Sequence, residues 1–120
     1  MVESITTPTR RDDIIGFRID GTASEADLKP VLFKLREKLK SHAKVRLYVE
    51  YVDAYGFSLD TLIEELEYNF GDLECFEKAV IITIKDWLKQ ATHYSSIIGR
   101  IQLKSFHFSE KDKAGRWIEE

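Results

Sequence analysis

Ala79-Val80-Ile81-Ile82-Thr83-Ile84 is a nearly continuous apolar and β-branched run. A strand with one wet face alternates between apolar and polar residues, whereas one buried on both faces does not. The run therefore predicts a strand inside a parallel or mixed sheet with layers packed above and below it. Downstream, Trp87, Leu88, Ala91, Tyr94 and Ile98 recur at helical spacing over Lys85 to Ile98, and Gly99 supplies the stop. Ile101 to Phe108 reads as a last strand, and Ser109-Glu110-Lys111-Asp112 caps a final helix carrying Trp117 and Ile118. Upstream, Leu59, Leu62, Ile63, Leu66 and Phe70 form the inner stripe of a second helix, with Glu64, Glu65 and Glu67 mostly solvated. Val45, Leu47, Val49 and Tyr51 share one face of a strand over Val45 to Val52. Leu28, Val31, Leu32, Leu35 and Leu39 define a first helix that runs to about Ser41.

Thr22-Ala23-Ser24-Glu25 has the form of a capping box for that first helix. Pro30 disfavours helical geometry at Lys29, so the helix opens with a separate short turn or starts at the proline. Asp13 to Ile19 alternates and pairs as a hairpin with a weak strand over Val2 to Thr6, joined through Thr7-Pro8-Thr9. The order β-β-α-β-α-β-α-β-α is that of an α/β protein. The expectation is a single domain over residues 1–120. It has a mixed sheet of about five strands, an N-terminal antiparallel hairpin followed by β-α repeats, and four main flanking helices.

At 120 residues, two domains would each be too short to bury an adequate core. A net charge of −3 gives no electrostatic reason to bind nucleic acid. Arg10-Arg11 is followed at once by Asp12-Asp13, which cancels its field. No apolar run approaches the roughly 18 residues that span a bilayer. The start, Met1-Val2-Glu3-Ser4-Ile5, lacks the basic and apolar regions of a signal peptide. A single cysteine, Cys75, excludes an internal disulfide and fits a reducing, cytoplasmic compartment.

The glycines are scattered, so no phosphate-cradling loop and no nucleotide cofactor is expected. His42, His93 and His107 stand apart from one another, without metal-ligand spacing. Cys75 has no neighbouring histidine or lysine to lower its pKa. These features point to a protein that is not an enzyme and needs neither metal nor cofactor. Ser58 stands where a helix N-cap belongs, and a phosphate there would meet free N–H groups and the positive end of the dipole. It is the candidate phosphoacceptor, with plain capping as the competing reading.

Tyr48, Tyr51, Tyr55 and Phe57 gather at the C-terminal end of the third strand, where open α/β sheets bind ligands. The expected pocket for a nonpolar small molecule has Tyr55, Phe57, Leu62 and Leu66 on one wall and Trp87, Tyr94, Ile97 and Ile98 on the other. Tyr55, Ser58, His93 or the Tyr94 hydroxyl would orient a head group. Aromatic core packing explains the same residues without a ligand. The residues leave oligomeric state open, a dimer included.

From Gly16-Phe17-Arg18-Ile19-Asp20-Gly21 to Trp117 the chain resembles the SpoIIAA-like family, whose fold is that of STAS and SEC14-type domains. The resemblance is carried by that strand and by Lys44-Val45-Arg46-Leu47-Tyr48-Val49-Glu50. It continues in Ala79-Val80-Ile81-Ile82, Lys85-Asp86-Trp87-Leu88 and Ala114-Gly115-Arg116-Trp117-Ile118. It implies the same mixed sheet with an N-terminal hairpin and four main helices. Two functions come with it. One is an apolar carrier with a cavity between helices and sheet, which suits Tyr55, Phe57, Trp87 and Tyr94. The other is a partner-switching regulator phosphorylated on a serine at the start of the second main helix. Ser58 falls near that place, but Asp53-Ala54-Tyr55-Gly56-Phe57 replaces the Asp-Ser-Ser/Thr-Gly surroundings of those regulators.

Overall fold

The structure, a computed structural model, describes residues 2–5, 11–20, 23–52, 59–71, 73–83 and 102–120. Its strands are β1 (Val2–Ser4), β2 (Ile14–Asp20), β3 (Val45–Val52), β4 (Phe76–Thr83) and β5 (Gln102–Phe106). They form one sheet in the order β1-β2-β3-β4-β5. β1 runs antiparallel to β2, and every later pair is parallel. The expected hairpin and interior β4 are both present, with β4 held between β3 and β5.

Three α-helices lie among the described residues: α1 (Lys29–Leu39), α2 (Leu59–Phe70) and α3 (Lys111–Glu119). The expectation of four is therefore not matched, and the helix read over Lys85 to Ile98 lies outside the described residues.

Parity along the strands assigns the layers. Ile15, Phe17 and Ile19 of β2, Val45, Leu47 and Val49 of β3, and Ala79 and Ile81 of β4 share one buried face. Against it pack Val31, Leu32 and Leu35 of α1 and Leu62, Ile63 and Leu66 of α2. Strand order follows chain order, so right-handed crossovers bring both helices to this one side. Ile14, Tyr48, Val80 and Ile82 point the other way and meet Ala114 and Ile118 of α3.

The helix starts differ from expectation by a few residues. Pro30 sits in the first turn of α1, preceded by the expected short turn, a 3-10 turn over Glu25–Leu28; Lys29 itself, expected to be held out of helical geometry by the proline, is helical at φ −52° and ψ −45°. The cap that forms is Ser24, whose N–H donates to Asp27 Oδ2 at 2.9 Å; Thr22 lies outside the described residues. At the last helix, capping passes from the expected Ser109 to His107. The Ser109 N–H donates to His107 Nδ1 at 3.2 Å, and the His107 N–H donates to Glu110 Oε1 at 3.1 Å. A 3-10 turn over Phe108–Glu110 shifts the start of α3 to Lys111. Gly71 ends α2 at φ +69°, a conformation that suits a residue without Cβ, and its N–H reaches Glu67 O at 2.8 Å.

Candidate binding groove

Two places concentrate chemistry. The first is a groove of about 630 Å³ between α1 and α2, on the side away from the sheet. Glu25, Ala26, Lys29, Phe33 and Arg36 line it from the first helical segment, the last four at spacings that place them on one face. Glu65, Tyr68 and Asn69 line it from α2, and the buried Leu32 lies beneath.

Phe33 is 61% exposed and Tyr68 is 88% exposed. Large apolar groups left in water beside a groove are more informative than scattered surface leucines. Arg36 Nη2 donates to Asn69 Oδ1 across the groove, and Asn69 is held in place by its own bond from Nδ2 to Glu65 O at 2.7 Å. The Arg36 guanidinium also stands 6.0 Å from the Phe70 ring centroid. Phe70 in turn meets Phe76 of the core edge-on at 5.5 Å. The groove is thus apolar in its middle and carries an oriented cation that leans on a neutral amide and a ring.

The second place is the opposite face of the sheet, beneath α3. Glu50 is buried, and its carboxylate accepts from Arg18 at 2.7 Å while meeting Lys111 Nζ at 2.9 Å. Burial alone would raise its pKa; the bonds to Lys111 and Arg18 outweigh burial and hold it below the ordinary glutamate value. Arg18 also reaches Glu3 at 3.1 Å, tying β1 into the same network. Tyr48 is pushed up to about 12 by burial and by the nearby Glu50 charge, so its phenol stays neutral.

At the other end of α3, Arg46 Nη1 donates to Ile118 O at 2.7 Å, Lys78 Nζ to Trp117 O at 3.3 Å and Arg11 Nη1 to Glu119 O at 3.3 Å. These cations satisfy carbonyls that a helix C-terminus leaves unpaired, at the negative end of its dipole. Lys78 and Lys104 also flank the Trp117 ring, at 4.9 and 5.4 Å from its centroid. Arg11 is itself engaged by Asp13 at 2.8 and 2.7 Å, the local cancellation expected from the sequence. That bond is the main cause of the lowered Asp13 pKa. Apart from the buried Arg46 Nε, which has no hydrogen-bond partner among the described residues, these groups are spent on one another and on seating α3.

Of the residues proposed for a pocket, Leu62 and Leu66 are buried in the core beneath α2, packed with α1 and the sheet. Tyr55, Phe57, Trp87, Tyr94, Ile97 and Ile98, the phosphoacceptor candidate Ser58 and the head-group candidate His93 lie outside the described residues. Tyr48 belongs to the α3 side of the sheet. Among the described residues, no group of three His, Cys, Asp or Glu side chains could hold a metal ion, and no helix is long and apolar enough to cross a membrane.

The family model that matches this chain is SpoIIAA-like, over residues 14–119. The chain belongs to the SpoIIAA-like family. Among solved structures, this SpoIIAA-like chain is similar to an uncharacterized protein of the DUF3478 family from Shewanella loihica PV-4, described as having a SpoIIAA-like fold. The two are 15% identical, the match covers 98% of this chain and 93% of that one, and the TM-score is 0.64. At that identity the likeness concerns the fold alone. No curated protein matches the chain.

Phe33 and Tyr68 escaped the sequence reading, although a signal existed. Both are aromatic residues out of phase with the apolar stripes of their helices, Leu28-Val31-Leu32-Leu35-Leu39 and Leu62-Ile63-Leu66-Phe70. An aromatic side chain on a helix's polar face has no core to fill. Arg46, Glu50 and Lys78 were hidden by the opposite circumstance. Alternation assigns them to a wet face, and the alternation itself does not reveal that α3 covers it.

Proposed function

We propose that this chain is a non-enzymatic binding domain, a carrier or sensor that takes a nonpolar small molecule with an anionic head into the groove between α1 and α2. The observation that carries this reading is the exposure of Phe33 and Tyr68 at the walls of that groove. Its volume of about 630 Å³ lies within the range of roughly 300–1,000 Å³ common for small-ligand sites. Arg36 can meet an anionic head, because its partners among the described residues, Asn69 and the Phe70 ring, are uncharged, although Glu25 and Glu65 line the same groove. Lys29, also lining the groove, adds a second cation. A single cysteine, Cys75, suits the reducing, cytoplasmic setting that goes with this reading.

Thermal shift and native mass spectrometry with a panel of fatty acids and isoprenoids test it. A ligand should raise the melting temperature with ligand excess. Phe33→Ala and Tyr68→Ala should each remove most of that shift while leaving the unliganded melting temperature nearly unchanged, since both side chains are exposed. If no panel member binds, or if binding survives both substitutions, the groove is not the site.

A further inference from the structure

The two walls of the groove differ in charge. α1 carries Lys29, Lys34, Arg36 and Lys38 against the lone acid Glu37, and Lys40 follows at its end. α2 carries Asp60, Glu64, Glu65 and Glu67 and no basic residue. Both helices follow a strand and precede a parallel one, so they run side by side in the same direction. On α1, Lys29, Phe33, Arg36 and Lys40 are all exposed and fall on one stripe; on α2, the exposed Glu64, Glu67 and Tyr68 surround the corresponding ridge. The outer surface of this layer is therefore a basic ridge beside an acidic one, each with an exposed aromatic, Phe33 midway along α1 and Tyr68 in the last turn of α2.

From this pairing of charge we infer that a second copy of the chain roofs the groove, about a two-fold axis running parallel to α1 and α2 between them. That operation sets the basic α1 of one copy over the acidic α2 of the other, and repeats the contact reciprocally, as an isologous interface requires. The other two-fold in the same plane, perpendicular to the helices, would set α1 on α1 and α2 on α2, like charge upon like. Phe33 and Tyr68 of each copy then leave water within the contact, as aromatic anchors of interfaces do. The inference rests on the groove assigned above and says what closes it.

The helices have 11 and 12 residues, which at about 1.5 Å per residue makes each roughly 17 Å long. A patch of that length and two helices wide lies at or below the roughly 800 Å² per partner of stable complexes. Pairing is therefore reversible, and the groove opens when the copies part.

Sedimentation velocity of the whole chain from micromolar to millimolar concentration is the test. Wild type should show a monomer–dimer equilibrium that shifts toward monomer when salt rises from about 0.1 to 1 M, as the screening length falls from about 10 to 3 Å. K29E/K40E, which takes the α1 ridge from basic to neutral beside an acidic α2, and E64K/E67K, which leaves a neutral α2 beside a basic α1, should each be monomeric. An equimolar mixture of the two should recover a heterodimer. Circular dichroism melts establish that both variants fold. A wild type that stays monomeric throughout, a dimer untouched by either variant, or a mixture that does not pair overturns the inference.

The ligand reading is separated by measuring dodecanoate binding to E64K/E67K, in which every groove-lining residue is intact. Binding there, with pairing absent in wild type, discards the dimer and keeps the groove. Pairing as described, with no ligand bound to either protein, keeps the dimer and discards the small-molecule reading.

Discussion

Under α1 and α2 the three central strands present Ile15, Phe17, Ile19, Leu47, Val49 and Ile81. Under α3, β2, β3 and β4 also present Arg18, Arg46, Glu50 and Lys78, bonded to one another or to α3. The first side is closed by burial of apolar surface, which is non-directional and tolerates small shifts of the helices over the sheet. The second depends on hydrogen bonds and ion pairs that fix one register of a nine-residue helix. A helix that short is not stable alone in water, so its order depends on those partners as well as on Ala114 and Ile118. The consequence for function is that the charged side, though rich in titratable groups, spends them on structure. The apolar side seals its own core and still leaves Phe33 and Tyr68 in water. Buried charge is the poorer guide to the site in this molecule, and misplaced apolar surface is the better one.

The largest expected effect lies in the apolar layer. Leu35 is fully buried between α1 and the sheet, and Leu35→Ala should destabilise the protein by about 2–5 kcal/mol in denaturant titration. Ile82→Ala, fully buried on the α3 side, should fall in the same range. A loss under about 1 kcal/mol at Leu35 would break the contrast between the faces, because the α1 layer would then be loosely packed.

Glu50 gives the sharper test of the charged side. Glu50→Gln removes the carboxylate that Arg18 and Lys111 share, but Arg18 keeps Glu3 and both cations are partly solvated, so the expected loss is a moderate 1–3 kcal/mol, about what an unsatisfied buried polar group costs. Because the folded pKa of Glu50 lies below its ordinary value of 4.5, its contribution is fully present above that value. It is lost as pH falls through the folded pKa. Amide protection in α3 should therefore decline in acid before protection in α1, and Glu50→Gln should flatten that dependence. Equal acid sensitivity of the two helices would contradict the account. Asp13, also lowered, contributes in the same direction through Arg11 and the end of α3.

The architecture was legible because both of its signals are local. The unbroken run Ala79 to Ile84 specified an interior strand, and the alternation in Asp13 to Ile19 and Val45 to Val52 specified which side chains face α1 and α2. Capping was misplaced by a few residues at both Thr22 and Ser109, since several side chains there can accept from a free N–H. The candidate site was less legible. Aromatics at the end of the third strand, Tyr55 and Phe57, and on the helix read over Lys85 to Ile98, Trp87 and Tyr94, drew the expectation to residues outside the described ones. It passed over Phe33 and Tyr68, whose significance depends on two helices lying side by side, a long-range relation that no single helix's periodicity contains.

The smallest expected effect is on the surface. Lys40 and Glu37 pair at 2.8 Å with both side chains largely in solvent. Glu37→Ala should change stability by less than about 0.5 kcal/mol in the same titration, because solvent screens such pairs. A larger change would mean that this end of α1 takes part in something more than helix packing.

The most direct measurement is an amide chemical-shift titration of the whole chain with dodecanoate at a concentration of protein low enough to remain monomeric. The account predicts that the largest shifts fall on Ala26, Lys29, Phe33 and Arg36 of the first helical segment and on Glu65, Tyr68 and Asn69 of α2, the residues that line the groove. Amides of α3 and of Arg46 to Glu50 should stay in place, because the charges of that face are already engaged by α3 and by one another. Shifts concentrated on α3, or none on α1 and α2 at saturating ligand, would contradict the assignment of the groove as the binding site.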